Sequence, residues 1–452
     1  MNNSPWLEQL NKNRVVNALE QDIATDLVVV GGGIAGMTTA YFLLKNTNKK
    51  VVLIEAGKIA HGATGHNAGQ VLGRFEKPFH QIVAEYGKRL AIKAQDALEE
   101  AWDLLEEIMA DAKLTVPLYK FNGYTGYSTE QEILSVLEQD YLNANAGLKK
   151  EQMLICAEAE FAQRIPQKYA KFYVLASPEK IQELLDTASP KYQGVGVMLT
   201  GCVNSALLVE ELAGYLLKTH PERFKLYENS PVAKVVLDKD SVVLSVHQKL
   251  VLAKKVILCT NGFENINIIN LAGNDIDNYF HAEVKGVVAY MAGFREESNK
   301  LPGAFAYYEG QRNQNEAPYF YLTRRPYHTY QEGKFNLVTI GGPETPLPEN
   351  AKYEREFIYP EKAKLEIDRF IKTDLKPEMK EEINYKFFWH GLMGYTRTGL
   401  RLIGPDPDNK NILYNLGCNG IGILPSVYGA KRIAKFIMRK KLSPSVFDPK
   451  RI

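Results

Sequence analysis

The feature that most constrains this chain is a run of apolar residues that ends in glycines. Residues Leu27–Val30 are apolar, three of them β-branched, and they are followed by Gly31, Gly33 and Gly36. Such a run bounded by glycines is typical of a buried parallel strand and a tight turn. The apolar residues Ala40–Leu44 indicate a helix after the turn. The stretch therefore predicts a strand, a turn and a helix.

The three glycines have separate roles at this spacing. Gly31 permits a sharp turn, Gly33 lets the backbone approach a pyrophosphate, and Gly36 lets the helix pack close to the strand. The open amides at the helix N-terminus favour negative charge. Glu55 ends the next apolar strand, 24 residues after Gly31, where a carboxylate can accept hydrogen bonds from ribose hydroxyls. Together these features predict a bound dinucleotide.

A loop of small residues follows Glu55. Residues 57–71 are rich in glycine, alanine and polar side chains, so a ligand can approach their backbone without obstruction. The glycine motif, Glu55 and the loop Gly62-Ala63-Thr64-Gly65-x-Asn67-Ala68-Gly69-Gln70 resemble the superfamily of FAD-dependent D-amino-acid, glycine and sarcosine oxidases. This resemblance implies FAD as the cofactor. A lead-in segment that contains Trp6 is similar to that of the γ-glutamylputrescine oxidoreductase-like branch.

Composition narrows the class of protein. The chain has 452 residues, 45% of them hydrophobic, and a net charge of +2, which is enough for two domains. Without a basic stripe, we expect no nucleic acid partner. We find neither a signal peptide nor an apolar run of transmembrane length, and therefore expect a cytoplasmic protein without a membrane span. The four cysteines lie far apart, so no metal site is expected.

The pattern of strands and helices, together with the resemblance, predicts an α/β fold. We expect a Rossmann-like FAD-binding domain of the glutathione-reductase type and a second, mainly antiparallel-sheet substrate domain. The FAD-binding domain is expected to comprise residues 1–117, 193–277 and 385–452, and the substrate domain residues 118–192 and 278–384. Residues 79–114 and 351–374 are each predicted to be one amphipathic helical stretch.

A second glycine-rich strand, loop and helix lies near the C-terminus. Gly391 lies in a strand-like segment, and residues Gly417–Gly422 precede a helix expected from about Ser426 to Lys440. In the resembling family, this turn lies at the N1–C2=O2 edge of the flavin, where amides and a positive helix end stabilise the charge that develops on reduction. Met393 stands where sarcosine oxidases carry the cysteine linked to flavin. We therefore expect non-covalent FAD, and a histidyl link through His66 stays open.

Two further segments complete the predicted cofactor site. In the family, the backbone at the Val232 position lies against adenine, and the Thr260-Asn261-Gly262 turn approaches the ribityl and pyrophosphate groups. The full predicted set of cofactor contacts is Gly31, Gly33, Ile34, Ala35, Gly36, Glu55, Ala56, Gly62, Ala63, Thr64, Asn67, Ala68, Gly69, Gln70, Val232, Thr260, Asn261, Gly262, Gly391, Gly417, Asn419, Gly420, Ile421 and Gly422.

The resemblance implies oxidation of a carbon–nitrogen bond. A neutral amine or amino acid would lose a hydride to flavin N5, the imine would hydrolyse, and oxygen or another acceptor would take the electrons. We expect five side chains to orient the substrate near the ring: His66, His390, Tyr395, Arg397 and Asn419. Arg397 is the strongest candidate for a carboxylate anchor, although the family usually has Pro there; the alternative is an ion pair with a nearby acid.

Other candidates and other functions stay open at this point. Tyr319, Tyr321, Arg324 and Arg325 could also bind a substrate carboxylate, since tyrosine offers a hydroxyl and arginine a bidentate fork; each could equally be a core or surface residue. One alternative function is an FAD-dependent 2-hydroxy-acid oxidase or dehydrogenase with His390 as the base. Another is a redox-silent structural flavoprotein.

Overall fold

A computed structural model describes residues 2–148, 152–262, 265–297, 300–309, 319–329, 333–348, 351–378 and 382–450. The strands are β1 Ile23–Ala24, β2 Leu27–Val30, β3 Val51–Ile54, β4 Gln70–Leu72, β5 Leu118–Tyr127, β6 Met153–Cys156, β7 Tyr173–Ala176, β8 Gly194–Val203, β9 Phe224–Tyr227, β10 Val232–Leu237, β11 Val242–Val246, β12 Lys249–Ala253, β13 Lys255–Leu258, β14 Asn267–Asn270, β15 Val284–Glu296, β16 Gly303–Tyr308, β17 Tyr319–Thr329, β18 Gly333–Pro346, β19 Tyr385–Thr396, β20 Leu402–Pro405 and β21 Ile412–Leu416. The helices are α1 Pro5–Glu8, α2 Ile34–Asn46, α3 Phe79–Tyr86, α4 Lys88–Asp111, α5 Glu130–Asn145, α6 Pro178–Leu185, α7 Ser205–Thr219, α8 Asp277–Glu283, α9 Glu361–Phe370 and α10 Ile423–Ile437.

The first predicted strand is the centre of a parallel sheet. Strands β21, β13, β2, β3 and β9 lie side by side and parallel, and β20 pairs antiparallel with β21 at one edge. All four residues of β2 are buried, because Leu27 and Val29 pack into a core with helices α2, α7 and α10, and Val28 and Val30 pack into a core with a second sheet of five strands. This second sheet has the strand order β1-β12-β11-β10-β14.

The remaining strands form a ten-stranded sheet in the order β19-β15-β18-β17-β16-β5-β8-β6-β7, with β4 paired to β8. Most of its pairs are antiparallel, and β16–β5 and β6–β7 are parallel. One face packs against α5, α6 and α9 through residues such as Phe320 and Phe370. The other face joins the core of the parallel sheet through Met291 and Trp389. The predicted α/β fold is confirmed.

Two predicted helical stretches are shorter than expected. Gly87, with φ of +80°, separates α3 from α4 within the stretch that we predicted as one helix. In the second stretch, only α9 and the π-helical turn Ile371–Leu375 are helical, so the prediction of helix for residues 351–360 was wrong. Pro360 begins α9 as its N-cap, since proline cannot supply an amide to a preceding helical turn.

The predicted domain boundaries stay a prediction. Strands β8 and β19, which those boundaries give to the cofactor domain, pair within the ten-stranded sheet. Among the described residues, none of the helices combines the length and the hydropathy that crossing a membrane requires.

Candidate active site

The turn between β2 and α2 is so tight that backbone meets backbone. Gly31 has φ of +107°, and a Cβ there would lie 2.7 Å from the carbonyl oxygen of Cys259. A Cβ on Gly36 would lie 1.8 Å from the carbonyl oxygen of Gly31. Only glycine fits such contacts, so these residues have the roles that the spacing predicts for them.

The small-residue loop reaches the first turn of α2. The Ile34 amide donates to Thr64 Oγ1 at 3.0 Å, and Gly33, the N-cap of α2, makes no side-chain cap bond. A Cβ on Gly33 would lie 2.8 Å from the same hydroxyl oxygen. The arrangement leaves a narrow cradle at a positive helix end, which suits a pyrophosphate.

Glu55 is held rigidly at the end of β3. Its carboxylate accepts the amide of Gly32 at 2.6 Å and the amide of Gly57 at 2.9 Å. An ionised carboxylate has about four acceptor positions, so capacity remains for ribose hydroxyls beside Gly31 and Gly33.

Thr260 supplies an observation that points directly to a ligand. Its Oγ1 is buried and has no hydrogen-bond partner among the described residues. The next residue, Asn261, has φ of +67° and accepts the Cys418 amide at 3.0 Å through Oδ1. Because buried hydroxyls are normally satisfied, we expect a polar group of the dinucleotide to complete this turn.

The second glycine turn is joined to the end of β19. The Asn419 amide donates to the Gly394 carbonyl at 2.8 Å, and Asn419 Oδ1 accepts the Thr396 amide at 2.8 Å. A Cβ on Gly391 would lie 2.5 Å from the carbonyl oxygen of His66. The structure thus brings together the loop after β3, the Thr260–Gly262 turn and both C-terminal segments.

A buried cation lies behind the second glycine turn. Arg401 donates to Asn415 Oδ1 at 2.7 Å and to the Gly417 carbonyl at 3.4 Å. Burial lowers the pKa of Arg401 to about 10, so the guanidinium is charged at neutral pH. Positive charge here favours a negative charge on a group held by the turn.

The other predicted cofactor residues lie on the same segments, with one in another sheet. They are Ala35 in the first turn of α2, Ala56 after β3, Gly62, Ala63 and Asn67–Gln70 before or at β4, Ile421 and Gly422 before α10, and Val232 at the start of β10 in the five-stranded sheet.

His66 is buried in the small-residue loop. Its Nδ1 lies 3.0 Å from the Gly62 carbonyl oxygen, and burial lowers its pKa to about 4. The imidazole is therefore neutral at physiological pH, with the Nδ1 proton donated to Gly62.

Strand alternation decides which side chains of β19 face the cofactor segments. Ala289 on β15 is paired with Gly391 on one side and with Glu344 of β18 on the other. Directly opposite residues share a face of the sheet, so Glu344 and Tyr395 lie on the face on which Gly391 meets the His66 backbone. His390, one residue from Gly391, lies on the opposite face.

On that opposite face His390 has contacts of its own. The Tyr353 hydroxyl lies 2.9 Å from Nδ1, and the Phe357 carbonyl oxygen lies 3.0 Å from Nε2. Burial lowers the pKa of His390. With Val288 and Tyr290, the ring lines a cavity of about 410 Å³. His390 thus lies on the opposite face of β19 from Tyr395, although it is near enough to His66 for its charge to contribute to the lowered pKa of that imidazole.

The predicted arginines have protein partners or lie elsewhere. Arg397 is half-exposed and its Nε lies 3.7 Å from Glu283 Oε2, which is the ion pair named as the alternative to a carboxylate anchor. Arg324 pairs with Asp186 and with Glu296. Arg325 is buried, and its guanidinium lies 5.3 Å from the Trp6 ring centroid.

A group of polar side chains converges beside the second glycine turn on the cofactor-facing side of the ten-stranded sheet. The Tyr319 hydroxyl donates to Glu76 Oε1 at 3.0 Å. A Cβ on Gly420 would lie 3.1 Å from the Tyr395 hydroxyl and 3.6 Å from Glu76 Cγ. The ring centroids of Tyr308 and Tyr319 lie 5.1 Å apart, and those of Tyr319 and Tyr321 lie 6.1 Å apart. We call the following residues the tyrosine–carboxylate cluster: Arg74, Glu76, Tyr308, Tyr319, Tyr321, Glu344 and Tyr395.

The cluster contains charges without an ion-pair partner among the described residues. The buried Nε of Arg74 has no hydrogen-bond partner. Burial alone would lower the pKa of Arg74, but the nearby Glu76 and Tyr319 raise it. Burial and then the charge of Glu76 raise the pKa of Glu344 to about 7. Burial, Glu344 and Glu76 raise the pKa of Tyr395, so these groups share one environment.

Sequence analysis named Tyr319, Tyr321 and Tyr395 but missed the charged members of the cluster. Arg74 and Glu76 follow β4 directly, a few residues after the recognised loop, and this proximity was a usable signal. Glu344 carries no local signal, because its position depends on the register of β18 against β15.

Replacing Glu344 by glutamine is expected to flatten the pH dependence of stability. A carboxyl group whose pKa rises from 4.5 to about 7 on folding binds its proton more tightly in the folded state. Its contribution is therefore most favourable at low pH and is lost as pH rises from 4.5 to 7. The shift corresponds to about 3 kcal/mol at pH 8, and partial exposure reduces it to about 2 kcal/mol.

Urea unfolding of the wild type and Glu344→Gln at pH 5 and pH 8 tests this. The variant should match the wild type at pH 5 more closely than at pH 8, where it should be more stable. The exposed Glu158→Gln is the control, and parallel pH profiles for all three proteins would contradict the expectation.

Comparison with known proteins gives a family match over most of the chain. The family model described as DAO, FAD dependent oxidoreductase, matches residues 26–436. The chain is 30% identical to γ-glutamylputrescine oxidoreductase of Escherichia coli (strain K12) over 104 residues, which are 23% of this chain and 24% of that protein. It is 25% identical over 134 residues, 30% of this chain and 26% of the other, to YhfW of Bacillus subtilis (strain 168), named as a Rieske 2Fe-2S iron-sulfur protein. The chain thus spans about a quarter of the length of these curated relatives.

Solved structures share the fold over nearly the whole chain. Glycine oxidase from Geobacillus kaustophilus has a TM-score of 0.69 at 16% identity, covering 95% of this chain and 99% of that chain. L-α-glycerophosphate oxidase from Mycoplasma pneumoniae with FAD bound has a TM-score of 0.63 at 15% identity, covering 94% and 97%. At this level of identity the likeness shows a common fold.

Proposed function

This chain belongs to the DAO family of FAD-dependent oxidoreductases, and we propose that it oxidises the carbon–nitrogen bond of an amine or amino acid. One observation carries the proposal: the tyrosine–carboxylate cluster and the second glycine turn meet at Gly420, where Tyr395 and Glu76 both approach. Polar recognition groups therefore lie directly beside the cofactor segments. Among the similar proteins, glycine oxidase and γ-glutamylputrescine oxidoreductase are named for an amino acid and an amine.

The cofactor is FAD, as the sequence predicted. The N-terminus of α2 would hold its pyrophosphate, Glu55 its ribose, and the Thr260 hydroxyl a polar group near both. When bound, FAD supplies a two-electron acceptor. Met393 stands at the predicted position of a cysteinyl link, which supports non-covalent binding.

The residues of this chain have defined tasks in the proposed reaction. Arg74 would hold an anionic group of the substrate, because its buried Nε has no hydrogen-bond partner in the part of the chain that the structure describes. Tyr319 and Tyr321 would orient the substrate. The neutral amine would lose one hydride from carbon, and the iminium ion so formed would lose one proton to water to give the imine. Water then converts the imine to a carbonyl compound and an amine or ammonia, and oxygen or another acceptor takes the electron pair.

Anaerobic bleaching of the yellow protein tests the proposal. The panel comprises D- and L-amino acids, N-methyl amino acids, polyamines, γ-glutamyl amines and 2-hydroxy acids, followed at the flavin absorbance band. Bleaching by one amine class is the expected result. Bleaching by 2-hydroxy acids alone, or by dithionite alone, would overturn the proposal in favour of a hydroxy-acid enzyme or a redox-silent flavoprotein.

The contacts of His390 favour the amine reaction over the hydroxy-acid alternative. A base for a hydroxyl group needs a free ring nitrogen, and both nitrogens of His390 have partners within 3.0 Å. An amine that binds in its neutral form needs no such base. We also propose a cytoplasmic location, which cell fractionation would test.

Replacing Thr260 by valine is expected to weaken FAD binding about tenfold, since a hydrogen bond to a charged or polar ligand contributes about 1.4 kcal/mol. The apoprotein should be unchanged or slightly more stable, because the hydroxyl lacks a partner among the described residues. Fluorescence titration of apoprotein with FAD gives the dissociation constant. Thr323→Val, which removes another buried hydroxyl without a described partner, is the matched control. Equal affinity in the Thr260 and Thr323 variants would contradict the expectation.

A further inference from the structure

The tyrosine–carboxylate cluster contains two acidic side chains and one basic side chain. Glu76 and Glu344 provide two carboxyl groups, and Arg74 provides one guanidinium. Among the described residues, Glu76 is the charged neighbour that acts on Glu344, and it has the same sign. Glu76 is exposed and accepts the Tyr319 hydroxyl, whereas Glu344 is half-buried. A carboxylate that is partly removed from water is stabilised by a nearby cation or hydrogen-bond donor. Glu344 has no cation partner among the described residues, and a ligand can bring one.

The sheet register fixes the face of the sheet on which Glu344 lies. Glu344 shares the cofactor-facing side of the sheet with Gly391 through Ala289. Tyr321 lies opposite Gly341 on the neighbouring strand, and Met291 lies opposite Gly341 on the other side. Ala289 and Met291 are two residues apart on β15 and therefore share a face, so Tyr321 and Glu344 also lie on one face of the sheet.

Aromatic rings complete the site. Tyr308, Tyr319 and Tyr321 form a row with centroid separations of 5.1 and 6.1 Å, and the Tyr319 hydroxyl is fixed by Glu76. Ring faces attract cations, and the attraction is larger where water is excluded. The buried Arg74 Nε, which has no hydrogen-bond partner among the described residues, lies near Glu76 and Tyr319. The cluster therefore has hydrogen-bonding capacity that a ligand can use.

From this geometry we infer that the cluster binds a positively charged group of the substrate between Glu76 and Glu344, against the rings of Tyr319 and Tyr321. The inference rests on the proposed function and names its substrate class: an amine that carries a second positive charge besides the nitrogen that is oxidised. Glu344 is then a residue that determines specificity. An amino acid with a neutral side chain would leave the carboxylate of Glu344 without a cation.

Calorimetric titration of the dithionite-reduced holoprotein with butylammonium and butan-1-ol tests the inference. The two probes have the same chain length and differ in charge, and reduced protein cannot turn over either one. We expect wild type to bind butylammonium at least about tenfold more tightly, as for a hydrogen bond to a charged group. Glu344→Gln should lose this preference while its affinity for butan-1-ol stays the same, and Glu344→Asp should retain the preference.

The controls separate this inference from the proposed function. The exposed Glu158→Gln should keep the charge preference of the wild type. No preference in the wild type, or a preference that survives in Glu344→Gln, would overturn the inference. Flavin bleaching by neutral amino acids without any charge preference would overturn it while the proposed function stands. A Glu344-dependent preference without bleaching by any amine would support the site and overturn the proposed function.

Discussion

Gly36→Ala is expected to yield a protein that retains no FAD. The added Cβ would lie 1.8 Å from the Gly31 carbonyl oxygen, and both atoms are fixed by backbone. The turn and α2 must separate to relieve the contact, and this moves the amides of the helix N-terminus away from the pyrophosphate. Overpacking costs about 1–3 kcal/mol where side chains can yield, and here none can. The flavin-to-protein absorbance ratio after gel filtration measures the loss.

Gly214→Ala is the matched control for this change. Gly214 also lies inside a helix, α7, and a Cβ there would meet nothing within 4 Å. Alanine in a helix interior is more favourable than glycine by about 0.5–1 kcal/mol, so this variant should keep its FAD and gain stability. A Gly36→Ala protein with a full complement of FAD would contradict the assignment of the turn.

The cofactor cradle could be predicted from the sequence because its signals are local. Gly31, Gly33 and Gly36 are needed for contacts within one strand, turn and helix. The strand that ends at Glu55 is the next one along the chain and pairs directly with the first. Periodicity and glycine spacing report such neighbours, and the resemblance added the identity of the dinucleotide.

The substrate-facing groups could not be predicted in the same way. Arg74, Glu76, Glu344 and Tyr395 come from segments more than 300 residues apart at the extremes, and sheet topology brings them together. A single polar residue in a strand has no periodic signal of its own. Predicting Glu344 requires the pairing of β15 with both β18 and β19, which no local pattern specifies.

The orientation of His390 could have been predicted from the alternation of side chains along its strand. The sequence predicted both His390 and Gly391 beside the flavin, yet consecutive strand residues point to opposite faces. If Gly391 meets the cofactor loop, as its contact with His66 indicates, His390 faces away. The motif identified the correct strand, and alternation along it selects Tyr395 in preference to His390.

Arg74→Met is expected to weaken binding of a substrate carboxylate about a hundredfold. Arg74 lies in the cluster, and its buried Nε has no hydrogen-bond partner among the residues that the structure describes. Truncating one member of a buried charged pair costs about 3 kcal/mol. Methionine keeps much of the side-chain volume and removes the charge. Propionate, which has no amine to oxidise, can be titrated by its perturbation of the flavin spectrum to give the dissociation constant.

Arg397→Met is the matched control, and it decides between the two arginines. Arg397 is half-exposed and faces Glu283 at 3.7 Å, and exposed ion pairs contribute about 1 kcal/mol or less. Its loss should change the propionate affinity by about threefold or less. If Arg397→Met instead lost the affinity and Arg74→Met kept it, the anchor would be the arginine of the C-terminal motif, and Arg74 would serve the cluster by balancing Glu76. The expected order follows from burial: a guanidinium shielded from water gains more from a carboxylate than one that already has an acid and solvent beside it.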